Sequence, residues 1–159
     1  MGAGQKQTIL PQSFSSVPLL IVFNTKIREG FVDRNVAPKL HAYMSGVFKE
    51  CDSPALSIGG TADHVHALAL LSRTITIADL VKEVKIASSK WMKVQTRGLR
   101  NFQWQKGYGA FGVSESKVSA VRAYIGNQEA HRQKSSFQDE FRALSKKHNL
   151  AFDEKFLWD

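Results

Sequence analysis

The 159 residues are enough for one ordinary domain with a real core and too few for two comfortable ones. A hydrophobic share of 43% with 23% charged residues excludes a disordered chain and fits a globular, soluble one. Twenty-two Lys and Arg against 14 acidic residues leave a formal charge of +8 and a pI near 9.7. That excess favours a polyanionic partner, although a basic protein with no such partner has the same count.

Residues 1–16, rich in Gly, Gln and Ser, are expected to form a flexible N-terminus ahead of one domain over 17–159. The apolar run Val17–Phe23 falls far short of the roughly 20 residues a spanning helix needs, so no membrane association is expected. Nothing reads as a signal peptide, and Lys6 replaces the Ser or Thr that N-myristoylation favours. Cys51 is the only cysteine, which excludes an internal disulfide and suits a reducing cytoplasm.

Leu19–Asn24 is predicted as a first, buried strand. Val36–Cys51 has a helical apolar stripe, with Asp33 or Asn35 as its N-cap. Pro54–Ile58 reads as a second strand, Gly59-Gly60-Thr61-Ala62 as a turn, and Asp63–Leu71 as a third strand. Thr76–Val94 returns to helical spacing, with Asp79 and Glu83 near its start and Lys90 and Lys93 near its end. Trp104–Val113, with three glycines, is expected to be an irregular fourth strand. A helix capped by Ser114 or Ser116 then runs to about Glu129, followed by a short helix over Phe137–His148 and a tail with apolar anchors. The order β-α-β-β-α-β predicts an α+β, ferredoxin-like (RRM-like) split βαβ: an antiparallel sheet with two helices on one face and the other face open to a ligand.

The third strand carries His64 and His66. Residues i and i+2 of a strand share a face, so both imidazoles project together while Val65 enters the opposite layer. Two neutral imidazoles side by side can ligate a divalent metal, but equally can serve structural hydrogen bonds. On the helix after the fourth strand, Tyr124 and Gln128 lie four apart and therefore on one face. A phenol beside a metal site suggests a nucleophile, and an amide oxygen could complete the ligand set while leaving positions open for substrate. The same two residues could be a core-rim tyrosine and a solvated glutamine.

His64-Val65-His66 and Tyr124-Ile125-Gly126-Asn127-Gln128, in that order around the strand-like Trp104–Phe111, resemble the single-tyrosine HUH transposases of small bacterial insertion sequences. These are the IS200-like transposases and their REP-associated tyrosine relatives. Ile21–Lys26, Val118–His131 and the ending Phe156-Leu157-Trp158 add to the likeness, which covers about residues 18–158. The resemblance implies a transposase that cleaves and rejoins single-stranded DNA through a 5′-phosphotyrosine. Tyr124 would be the nucleophile, and His64, His66 and Gln128 would hold Mg²⁺ or Mn²⁺. It also implies a homodimer, in which one subunit's tyrosine helix can complete the other's histidine site, acting on hairpins at element ends. Pro18-Leu19-Leu20 departs from the aromatic or His residue that many relatives carry at the first strand, and Gly126 sits inside the tyrosine helix, where glycine costs about 1 kcal/mol against alanine.

Lys82, Lys85, Lys90, Lys93, Arg97 and Arg100 run along and beyond the second helix, with Arg122 on the tyrosine helix, as candidate phosphate contacts. Trp91, Trp104 and Tyr108 are candidates for stacking on unpaired bases. Three alternatives stand beside the transposase: a domesticated REP-associated endonuclease, a non-catalytic RRM-like nucleic-acid-binding module, and, more distantly, a metal-dependent phosphoesterase.

Overall fold

The computed structural model describes residues 13–26, 31–127 and 137–149. Its centre is a four-stranded sheet of β1 (Pro18–Asn24), β2 (Ala55–Gly60), β3 (His64–Leu70) and β4 (Gly109–Gly112). The order across the sheet is β2-β3-β1-β4, and every pairing is antiparallel. Strands β1 and β3, consecutive in space but not in sequence, form the middle. That is the split βαβ arrangement. The helices are α1 (Ala37–Glu50), α2 (Ile77–Lys93), α3 (Val118–Gly126) and α4 (Phe137–His148).

The continuous apolar run of β1 makes sense because both faces of that strand are covered. Leu19, Ile21 and Phe23 point into one layer with Val65, Ala67 and Ala69 of β3. Against them α1 buries Leu40, Met44, Val47 and Phe48, and α2 buries Leu80, Val81, Val84 and Met92. These spacings place each set along one stripe of its helix. The alternate residues Leu20, Val22 and Leu68 face the other way and pack against Val121 and Ile125 of α3.

That second layer corrects the expectation of an open sheet face. Leu20, Val22 and Leu68 make the face too apolar to leave in water, and α3 lies over its β2–β3 side. The helix starts differ in detail as well. The Thr76 hydroxyl accepts from the Asp79 amide at 3.1 Å and caps α2. Asp33 instead closes a turn ahead of α1, its Oδ1 accepting from the amides of Asn35 and Val36 at 2.8 and 2.9 Å. The fourth strand is shorter than expected: Trp104 makes only an isolated bridge to Thr25, and regular pairing resumes at Gly109. The tyrosine helix, expected to run to about Glu129, ends at Gly126 with Asn127 as its C-cap, and Gln128 and the apolar tail lie outside the described residues. Among the described residues no helix is long and apolar enough to cross a membrane.

Candidate active site

Cross-strand register assembles the site. Within β3, His64 and His66 share the face that carries Leu68, while Val65 enters the α1–α2 core. His66 stands opposite Val22 on one side and Gly59 on the other; His64 stands opposite Asn24. Both histidines are buried, and their ring centroids are 5.0 Å apart. The third ring comes from α3: Tyr124 stacks on His66 with centroids 5.8 Å apart and planes 25° from parallel. Three of the sequence-selected residues are thus brought together.

Two neighbours overlooked in the sequence orient His64. Its Nδ1 lies 2.8 Å from Asp63 Oδ1 and 2.7 Å from Thr61 Oγ1, and the Thr61 hydroxyl donates to the same Asp63 oxygen at 2.9 Å. With the hydroxyl proton committed to the carboxylate, Nδ1 is the donor, so whenever the ring is neutral its lone pair lies on Nε2. Burial pushes the Asp63 carboxyl up, but the hydrogen bond from His64, the imidazole's charge and the Thr61 hydroxyl outweigh it and leave it below the usual value. Burial, and then the proximity of His64, hold His66 well below an ordinary histidine, so its imidazole is neutral at pH 7. The sequence signal for this support was the run Thr61–His64 at a hairpin end, where short polar side chains turn back on their neighbours.

Gly59 explains why α3 can lie this close. A Cβ at Gly59 would come within 2.6 Å of the Ile125 carbonyl oxygen and 2.9 Å of its Cγ2. Only a bare α-carbon lets the helix that bears Tyr124 settle on β2 beside His66.

The donor set suits a divalent cation in part. Among the described residues no three His, Cys, Asp or Glu side chains gather as a metal centre. What the fold supplies is two buried imidazoles on one face, one fixed in its tautomer by a carboxylate and the other kept neutral, which is the chemistry metal-binding histidines require. A third ligand is needed, and Gln128 lies outside the described residues.

The basic residues divide. Lys82, Lys90, Lys93, Arg97, Arg100 and Arg122 are exposed. Lys85 is not available as a phosphate contact: its half-buried ammonium donates to the carbonyls of Gln105 at 2.7 Å, Lys106 at 3.3 Å and Gly107 at 2.7 Å. It also sits 5.3 Å from the Phe23 ring centre and 5.8 Å from that of Tyr108. Burial pushes it down to about 8, so it is still charged at neutral pH. Trp104 is likewise corrected from a stacking platform to a core residue. It is 8% exposed, meets Phe23 and Phe102 edge-on at 4.8 Å, and donates its indole N–H to Ser88 Oγ at 2.9 Å. Trp91 stacks on Tyr43 at 5.6 Å rather than standing free. Between α2 and residues 103–106 runs an open groove of about 390 Å³, with Lys90, Lys93 and Lys106 on its walls.

The sheet is a split βαβ of the α+β class, with paired histidines under a helix-borne tyrosine. The chain belongs to the IS200-like transposase family, whose model matches residues 13–128. Two solved structures share its fold. One is a presumptive transposase from Deinococcus radiodurans R1, 22% identical over 80% of this chain and 98% of that one, with a TM-score of 0.58. The other is a REP-associated tyrosine transposase bound to a REP hairpin, 12% identical over 79% of this chain and 74% of that one, with a TM-score of 0.56. No curated protein matches the chain.

Proposed function

We propose that this member of the transposase family cuts and rejoins single-stranded DNA at hairpin-flanked ends through a covalent link to Tyr124. The observation that carries the reading is the stacking of Tyr124 on His66 at 5.8 Å, beside the second histidine of the same chain. In the step proposed, the Tyr124 oxygen attacks a backbone phosphorus. A phosphorus–tyrosine bond forms as the bond to the 3′-oxygen breaks. The phenol loses its proton, the departing strand leaves as a 3′-hydroxyl, and the 5′-phosphate stays on the protein. Attack by a 3′-hydroxyl reverses the exchange. One ester replaces another, so rejoining requires no ATP.

His64, His66 and Gln128 are the residues that would hold Mg²⁺ or Mn²⁺ here. Such a cation, when bound, polarises a phosphate oxygen and steadies charge as the bonds exchange. The chain's own contribution is positional. Asp63 and Thr61 fix the His64 ring, burial keeps His66 neutral, and Val121 and Ile125 anchor the helix that presents Tyr124. Hairpin DNA is the substrate class favoured by the REP hairpin in the second structural neighbour and by the exposed cations on α2. A homodimer working in the cytoplasm completes the proposal, each tyrosine standing beside its own histidines in the geometry described.

The test is incubation with hairpin-bearing single-stranded DNA and Mg²⁺ or Mn²⁺, followed by denaturing electrophoresis. The native protein should give a protein–DNA adduct and Tyr124→Phe should give none. An adduct formed by the Phe variant refutes the nucleophile.

A further inference from the structure

Asn24 ends β1 on the face that carries the histidines. It pairs across the strands with His64, which puts their Cβ atoms about 4.5–5.5 Å apart on one side of the sheet. The residues two and four before it on that face, Val22 and Leu20, are apolar, as the packing under α3 demands. Asn24 is 3% exposed, so a polar side chain has been kept where the strand's own pattern calls for a hydrophobic one.

Half of its amide is accounted for. Nδ2 donates to Gln105 Oε1 at 3.3 Å, and the Asn24 backbone carbonyl accepts from the Gln105 amide at 2.8 Å. Gln105 follows Trp104, the residue bridged to Thr25, and so lies on the β4 side of β1. With the amide nitrogen held by Gln105, the oxygen is the atom left to meet a group on the face that Asn24 shares with His64. Oδ1 is buried and has no hydrogen-bond partner among the described residues. Buried carbonyl oxygens are seldom left so, and those that are call for a reason. A hard divalent cation prefers oxygen to nitrogen ligands, and the histidine pair alone gives it none.

We infer that Asn24 contributes its side-chain oxygen to the cation held by His64 and His66, with Gln105 as the residue that aims it. The inference rests on the metal-site reading above. It adds a protein oxygen from β1 to the two imidazoles of β3, so the site draws on the two central strands of the sheet.

The experiment is Mn²⁺ binding to the full-length, DNA-free protein, read from the electron paramagnetic resonance of the free ion, with His64→Ala as control. Asn24→Leu should weaken binding by about tenfold, in the range found when groups around a metal are removed. Asn24→Asp keeps the oxygen and adds a charge, so it should bind Mn²⁺ several-fold more tightly. If both variants bind as the native protein does while His64→Ala does not, Asn24 is no ligand and the inference fails alone. It fails in the same way if Asn24→Asp weakens hairpin binding without changing Mn²⁺ affinity, since Asn24 would then be a donor to phosphate. If the native protein takes up no Mn²⁺, the metal-site reading fails and this inference with it. Should Asn24→Leu not fold, Asn24→Asp decides.

Discussion

Two side chains of the site depend on residues that do no chemistry themselves. Gly59 sets the height of the tyrosine helix, because a methyl group there meets the Ile125 carbonyl at 2.6 Å, and backbone cannot yield as a flexible side chain would. Gly59→Ala should therefore destabilise the fold by about 1–3 kcal/mol, the usual cost of overpacking, and depress adduct formation because Tyr124 moves with the helix. Denaturant titration and the adduct assay together check it. Tyr124→Phe, which leaves the packing alone, should lose the adduct at nearly native stability. Asp63 sets the tautomer of His64 through the 2.8 Å contact at Nδ1. An Asn there can present an N–H to the ring instead and stabilise the wrong tautomer. Asp63→Asn should weaken Mn²⁺ binding by about 10- to 100-fold while leaving the melting profile close to native. Unchanged Mn²⁺ affinity would show that the carboxylate is not what orients the ligand.

At the scale of elements, what the sequence disclosed follows from periodicity. The alternation in β3 revealed the face shared by His64 and His66, and the stripes of α1 and α2 revealed the layer they bury. Hidden were contacts between segments distant in sequence. Nothing local in Trp104 distinguishes a ring that stacks on a base from one that donates to Ser88 sixteen residues away. Nothing local in Gly59 separates a turn glycine from one lying under a helix more than sixty residues later. The second layer was missed for a related reason: α3 belongs to neither βαβ half, so the strand order alone leaves its docking face undetermined. Lys85 shows the same limit, since its charge reads as surface from the sequence yet ties α2 to the three carbonyls preceding β4. Lys85→Met keeps an unbranched apolar side chain at this half-buried position and removes the ammonium with its donors. It should cost about 1 kcal/mol in denaturant unfolding, with little effect on DNA affinity. A large fall in affinity at unchanged stability would restore Lys85 as a phosphate contact.

For the whole molecule, the two faces of the sheet divide the labour. The histidines and Tyr124 occupy the side covered by α3, whereas α2 and the groove flanked by Lys90, Lys93 and Lys106 lie on the other. A strand held only at the reacting phosphate would be positioned by few contacts. If hairpin DNA is the substrate, as proposed, the exposed cations on the far layer would give its stem a second hold. Such contacts act by releasing counterions, each phosphate neutralised contributing about 0.7–0.9 to the slope of log affinity against log salt. Lys90 and Lys93 are exposed, near one another on the last turns of α2 and on the wall of the same groove. Replacing both with alanine should lower that slope by about 1.4–1.8, because two phosphate contacts are lost. The weakening should be similar for hairpins of different sequence, since phosphate contacts position without reading bases. Adduct formation at saturating DNA should persist, the reacting groups being untouched. Fluorescence anisotropy of a labelled hairpin between about 50 and 200 mM salt, a range over which such contacts change affinity by orders of magnitude, measures the slope. A slope equal to that of the native protein would move the stem off the α2 face and leave the groove without a part in DNA binding.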